Sequence, residues 1–122
     1  MRNRVIAAAT GVALVAMLVA AQSRADEDEI VVEDVEFTDA YMSDSANIKQ
    51  GHEIWVEQCQ HCHGSKAYPG KAPKLKPRKY KPDFVFYRVT KGFKGMPPWK
   101  DVYSLEERMA VVSYVMSKEF SP

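Results

Sequence analysis

The run Cys59-Gln60-His61-Cys62-His63 constrains this chain more than any other feature. Two thiols three positions apart lie on one side of a helical turn, so both can bond to a single ligand lying along that side. A histidine follows at once, and its imidazole reaches the face that the thiols define. This is the Cys-x-x-Cys-His pattern of covalent haem attachment, in which each thiol forms a thioether to a haem vinyl group and His63 reaches the iron. Other readings compete for the same residues. The blandest is a disulfide, or two unrelated thiols. A redox-active dithiol wants a thioredoxin-like βαβ setting, and no strand-rich pattern flanks this run. A structural zinc site needs four ligands. Cys59, Cys62 and His63 offer three, the fourth would have to be His52 or His61, and the adjacency of His63 to Cys62 makes joint ligation of one ion awkward. His61 is expected to point outward, and His52 to lie on a helix surface.

The N-terminus reads as a secretory signal peptide from Met1 to Ala25. Arg2 and Arg4 give it a charged start, and Val5 to Ala21 is an uncharged stretch rich in Ala, Val and Leu. Ser23-Arg24-Ala25 places small residues where a signal peptidase reads, so cleavage is expected after Ala25. The competing reading is an uncleaved anchor, but the 17 residues from 5 to 21 sit at the short limit for a spanning helix. Removing 25 of the 122 residues leaves 97, enough for one small domain. Such a chain buries little apolar surface by itself. A large flat cofactor would supply the missing core, and the chain without it is expected to fold poorly.

Residues 26–44 form an acidic arm with nine Asp or Glu and no Lys or Arg. Its apolar patch Ile30-Val31-Val32 could dock, but the charge density predicts a mobile segment. Residues 45–122 carry 14 basic and 7 acidic side chains, a net of +7. Eleven of the basic ones fall between Lys66 and Lys100, with only Asp83 against them. The fold class expected is all-α, about three helices around one covalently bound haem. The first helix runs from about Ser45 or Asn47 to Gln60, with Ser45 as N-cap and Ile48, Gly51, Ile54 and Trp55 at helical spacing. The second spans Pro82 to Lys91, with Pro82 at a first helical position, Asp83 at the positive end and Gly92 closing it. The third begins at the capping box Ser104-Leu105-Glu106-Glu107. Leu105, Met109, Val112 and Val115 or Met116 make its apolar face, with Tyr114 alongside. Between the first two helices, Gly64 to Lys81 holds Pro69, Pro73 and Pro77 and is read as a loop wrapping the haem on the His63 side.

Gly95-Met96-Pro97-Pro98-Trp99 supplies the candidate for the other face of the iron. A loop methionine is ordinarily a gap-filler. Beside a haem-attachment run, 33 positions after His63, a soft neutral thioether is a suitable second axial ligand, and two following prolines stiffen its backbone. Met42 lies in the arm, and Met109 and Met116 lie on a helix face where spacing marks them as packing residues. Arg78, Tyr80 and Trp99 are candidates for haem contacts, or are ordinary surface and core residues.

The stretch from Ser45 to Pro122 resembles the small class I c-type cytochromes of bacteria. Gly51 with Trp55, Cys59 to Gly64, Ala72-Pro73-Lys74-Leu75, Gly95 to Trp99 and the last helix with Tyr114 carry the resemblance. It implies that Gly51 lets the first and last helices cross closely, with Trp55 and Tyr114 flanking the contact. It implies that the Pro73 carbonyl accepts from the outer nitrogen of His63, and that Leu75 packs on the porphyrin. It also implies attachment of haem c on the outer side of the energy-transducing membrane, hence a periplasmic location. The acidic arm has no counterpart in that shared core.

Iron held by His63 and Met96 has no free position for oxygen, peroxide or substrate. The expected role is that of a one-electron carrier and not an enzyme. No phosphate loop, carboxylate pair or nucleophile with an ordered base stands out. The expected partners are redox proteins with an acidic docking face, steered by the lysines around the loop. Family analogy points to quinoprotein dehydrogenases and terminal oxidases. Nucleic acid is not expected, nor is stable membrane insertion once the signal is removed. Two alternatives from other classes remain. A displaceable Met96 would permit ligand sensing or peroxidase-like turnover. Persistent docking in a larger dehydrogenase or oxidase would make the chain an electron-entry subunit.

Overall fold

A computed structural model describes residues 29–120. The signal segment Met1 to Ala25, residues 26–28 of the arm and residues 121–122 lie outside the described residues. Within them, helices α1 (Asp39–Ser43), α2 (Ser45–Ile54), α3 (Gln60–His63), α4 (Pro82–Lys91) and α5 (Leu105–Met116) follow in order. Among the described residues there is no strand, only one isolated bridge between Phe93 and Met96, and no helix long and apolar enough to cross a membrane.

The first helix departs from expectation at both ends. Its cap is Asp44 and not Ser45: one carboxylate oxygen accepts from the amides of Ala46 and Asn47 at 2.9 and 3.0 Å. An anionic acceptor reaching two free N–H groups, at the positive end of the helix, outcompetes a hydroxyl one position later. At the other end the chain does not stop at Gln60. After Ile54 it widens into a π-type turn over Trp55–Cys59 and then resumes as α3, ending at Gly64 with φ +84°. The whole Cys-x-x-Cys-His run therefore rides on helical backbone, next to a one-turn bulge of the kind that re-aims side chains at functional sites.

α4 has the expected bounds. Pro82 occupies its first turn, Asp83 complements the dipole, and Gly92, at φ +73°, closes it with its N–H on Arg88 O at 2.8 Å. α5 starts as expected. Ser104 N–H donates to Glu107 Oε2 at 2.8 Å, and Glu107 N–H to Ser104 Oγ at 3.2 Å. Ser104→Ala is expected to cost about 1 kcal/mol, read as a lower urea midpoint. An unchanged midpoint would mean that the box adds nothing to this helix.

α5 is the hub. It packs against α2, α4 and α1, and Arg108 and all residues from Ala110 to Val115 are buried. One apolar stripe was expected. Three neighbours bury more than one stripe, and Leu105, Met109 and Met116 complete the rim. The α2–α5 crossing is as close as the resemblance implied. A Cβ built on Gly51 would stand 2.0 Å from Ala110 O and 2.8 Å from Tyr114 Cβ. Phe120 packs edge-on to both Trp55 and Tyr114 beside it, with ring centroids 4.7 and 5.4 Å apart.

From residue 29 onward the acidic arm is docked and not loose. Val32, Val35, Phe37 and Met42 pack on the core, and Phe37 meets Phe86 edge-on at 5.8 Å. Charge density was a poor guide because one of its carboxylates has a buried partner. Glu33 grips Arg108 with two parallel bonds of 2.9 and 3.0 Å. Arg108 is 2 % exposed and also donates to Thr90 Oγ1 at 2.7 Å and to the carbonyls of Tyr103 and Ser104 at 3.1 and 3.3 Å. The guanidinium thus ties the arm, α4 and the start of α5 together. The bonds from Arg108 hold the Glu33 carboxyl far below its ordinary range, at about 2.

Candidate haem site

The helical run over residues 55–63 is pinned by its own first side chain. Trp55 is buried, and its indole N–H donates to the carbonyls of Gly64 and Ser65, both at 3.1 Å. Its ring lies 5.6 Å from the His63 imidazole. The loop after His63 then folds back over the end of the run. Ala72 N–H donates to Cys62 O at 2.8 Å, and Leu75 N–H to Ala67 O at 3.2 Å. Gly64 and Gly70 make this return possible. A Cβ on Gly64 would meet Pro69 O at 2.1 Å, and one on Gly70 would meet Cys62 O at 2.3 Å. Neither role was foreseen. The Gly that directly follows the motif was its only hint.

Both thiols are free, Cys59 half-buried and Cys62 exposed. Burial pushes the Cys59 thiol up to about 12, with Cys62 adding a smaller push. A dithiol poised for exchange needs the opposite, a stabilised thiolate. Among the described residues no group of three or more His, Cys, Asp or Glu is placed to hold a metal ion. His61 Nε2 lies 3.0 Å from Glu57 O and His52 lies against Tyr114, so neither turns toward the thiols.

His63 is half-buried, and burial lowers its basicity, which favours the neutral ring. Its Nδ1 is fully enclosed and meets no hydrogen-bond partner. The Pro73 carbonyl bond implied by the resemblance is therefore not made, and Pro73 is exposed. The adjoining amide, Ala72 N–H, is spent on Cys62 O. A buried nitrogen without a partner is rare and costly. Here it belongs to the one ring that the attachment motif assigns to iron.

Met96 is half-buried and held by backbone on both sides. Phe93 and Met96 exchange two bonds of 3.0 Å, N–H to O in each direction, across a turn in which Lys94 adopts φ +53°. Gly92 lies so close beneath that a Cβ there would meet Met96 O at 2.5 Å. Trp99 N–H donates to Val89 O at 3.0 Å, which fastens the far end to α4. Cys59, Leu75, Met96, Trp99 and Tyr80 all pack on the same core cluster, whereas Cys62 and Pro73 face solvent. Met42 also packs on that core, and its sulfur accepts from Ser113 Oγ at 3.6 Å. Two free thiols one turn apart, a half-buried imidazole beside them and a half-buried methionine on a pinned turn form a donor set whose chemistry fits a covalently held haem.

A family model described as "Cytochrome C oxidase, cbb3-type, subunit III" matches residues 46–115. Among solved structures the chain is similar to one titled "c-type cytochrome NirC". The identity is 25 %, the match covers 65 % of this chain and 99 % of that one, and the TM-score is 0.52. No curated protein matches the chain.

Proposed function

The chain belongs to the cytochrome c family described as cytochrome c oxidase, cbb3-type, subunit III, and on that premise we propose that it carries single electrons between redox proteins in the periplasm. Its fold is the all-helical cytochrome c fold of three main helices, and membership in the family implies a covalent haem c. The observation that supports the residue assignment is the half-buried imidazole of His63 on the same helical run as two free thiols.

Cys59 and Cys62 would hold the haem by thioethers, and His63 and Met96 would ligate its iron. When bound, the haem supplies a one-electron Fe(III)/Fe(II) couple. The chain's own residues decide what that couple can do. His63, kept neutral by burial, presents a nitrogen lone pair. Met96 presents a soft, uncharged sulfur, a pairing that raises reduction potential. The two bonds between Phe93 and Met96 hold the backbone that carries the sulfur, a support that favours a carrier over sensing or peroxidase-like turnover. Leu75 and Trp99, half-buried on the core, would exclude water beside the ring. Lysines between residues 66 and 100 would steer an acidic partner such as a terminal oxidase or a quinoprotein dehydrogenase. A second reading rests on the family's description, which names an oxidase subunit: the chain stays docked in a larger complex and receives its electrons. Persistent co-purification with one enzyme would favour it.

The mature chain, made in a host that matures c-type cytochromes, is expected to carry the added mass of one haem. A colourless product of unmodified mass would overturn the assignment. Met96→Ala is expected to abolish the far-red band of the oxidised protein, admit carbon monoxide to the reduced form and lower the potential. If its spectrum matches that of the parent, another residue is the ligand.

A further inference from the structure

We propose that the outer face of α4, continued by Phe93 and Lys94, is the docking surface for the electron-transfer partner, and that this partner presents carboxylates around an apolar centre. The proposal rests on the electron-carrier reading for the nature of the partner, but the surface is argued from its own chemistry.

α4 turns Val85, Phe86, Val89 and Thr90 into the core. Phe84, Tyr87, Arg88 and Lys91 then recur at i, i+3, i+4 and i+7 along the opposite side. A helix face turned to water is ordinarily polar. This one leaves Phe84 45 %, Tyr87 40 % and Phe93 51 % exposed. Arg88 binds these rings together. Its guanidinium lies 3.9 Å from the Phe93 centroid and 5.2 Å from that of Phe84. Tyr80, 5.5 Å from Phe84, extends the row at the other end. Because Arg88 is already stacked, little side-chain freedom is lost when it meets a carboxylate. Exposed aromatics with a fixed arginine are the residue types that dominate small, short-lived protein contacts.

Charge and position select the partner. Between Phe84 and Lys100 the sequence has no acidic residue, and Arg88, Lys91 and Lys94 carry the charge of the patch, since Lys100 is turned to Glu33 at 3.7 Å. A carboxylate of this chain already stands at the margin: Glu29 lies 4.0 Å from Lys91 Nζ. The patch also adjoins the Met96 turn, since Phe93 and Met96 share their backbone bonds. A partner seated here would touch the electron carrier beside its methionine. The lysines of residues 66–81, in the loop after His63, lack this aromatic row, apart from Tyr68 beneath Lys74 and Tyr80.

The test uses the full-length holoprotein and two labelled polymers of equal charge, polyglutamate and a random glutamate–tyrosine copolymer, followed by fluorescence anisotropy across sodium chloride concentrations. The copolymer is expected to bind about tenfold more tightly than polyglutamate. Phe84→Ser with Tyr87→Ser should reduce the copolymer to the polyglutamate level. Phe93→Ser, outside the helix, tests the same point if that pair fails to retain haem. Arg88→Gln with Lys91→Gln and Lys94→Gln should weaken both polymers about tenfold and flatten the salt dependence. Equal binding of the two polymers would overturn the proposal. So would binding lost only with Lys71→Gln, Lys74→Gln and Lys76→Gln in the loop, or phosphatidylglycerol vesicles that outcompete the copolymer. Haem mass and the absorption spectrum are recorded for every variant. Their absence from the parent protein defeats the haem assignment, whereas an intact spectrum without aromatic-dependent binding defeats only the docking surface.

Discussion

Gly51→Ala is expected to lower stability by about 3 kcal/mol or more, a large part of the about 5–15 kcal/mol that holds a small domain at 25 °C. The added methyl would stand 2.0 Å from the Ala110 carbonyl oxygen and 2.6 Å from its carbon, and both are backbone atoms on the most enclosed helix. No rotamer change relieves that contact. α2 and α5 would have to separate, and the aromatic cluster of Trp55, Tyr114 and Phe120 spans the same crossing. Urea titration of the holoprotein by far-ultraviolet circular dichroism reads the loss. A parental midpoint would show that the helices can part at no cost and that the glycine serves another purpose.

Glu33→Gln is expected to cost about 3 kcal/mol, because it leaves a buried guanidinium without its counter-charge. Thr90 Oγ1 and the two carbonyls remain as acceptors, but none carries a charge. The same bond makes stability depend on pH in a defined direction. The Glu33 carboxyl titrates near 2 when folded, below its ordinary value of 4.5. Its contribution is therefore complete above about pH 4.5 and is lost as pH falls through about 2. The Gln variant should lack that part of the acid transition. Adding Arg108→Met to Glu33→Gln should recover much of the loss, since the buried charge left without its counter-ion is then gone. If the double variant is weaker than Glu33→Gln alone, the bonds from Arg108 to Thr90, Tyr103 and Ser104 matter more than the charge.

Features whose cause is local were readable in the chain itself. Pro82 and Gly92 bound α4, and Ser104 with Glu107 opens α5, because each of these residues imposes its own backbone geometry. Gly51 was readable as a close approach through the resemblance. The end of the first helix was not, since it depends on the Trp55 indole reaching carbonyls nine and ten residues on and on the π-type turn beside it. The docked arm was missed for a similar reason: Glu33 and Arg108 are 75 residues apart. A signal did exist. Arg108 lies three positions after Leu105 and four before Val112, inside the stripe that was read as apolar. A charge at such a position needs a partner of opposite sign, and the arm is rich in them. The acceptor expected for His63 Nδ1 was not readable either: the loop uses the amide of Ala72 to close on Cys62, and the nitrogen meets no partner.

The family match begins at residue 46, thirteen positions after Glu33. An expression fragment trimmed to that point would keep every residue assigned to the haem and still discard the anion that neutralises the cation inside the hub helix. The boundary drawn by kinship and the boundary drawn by charge balance are different places on this chain. The smallest piece that folds as the whole does must start upstream of the arm's glutamate.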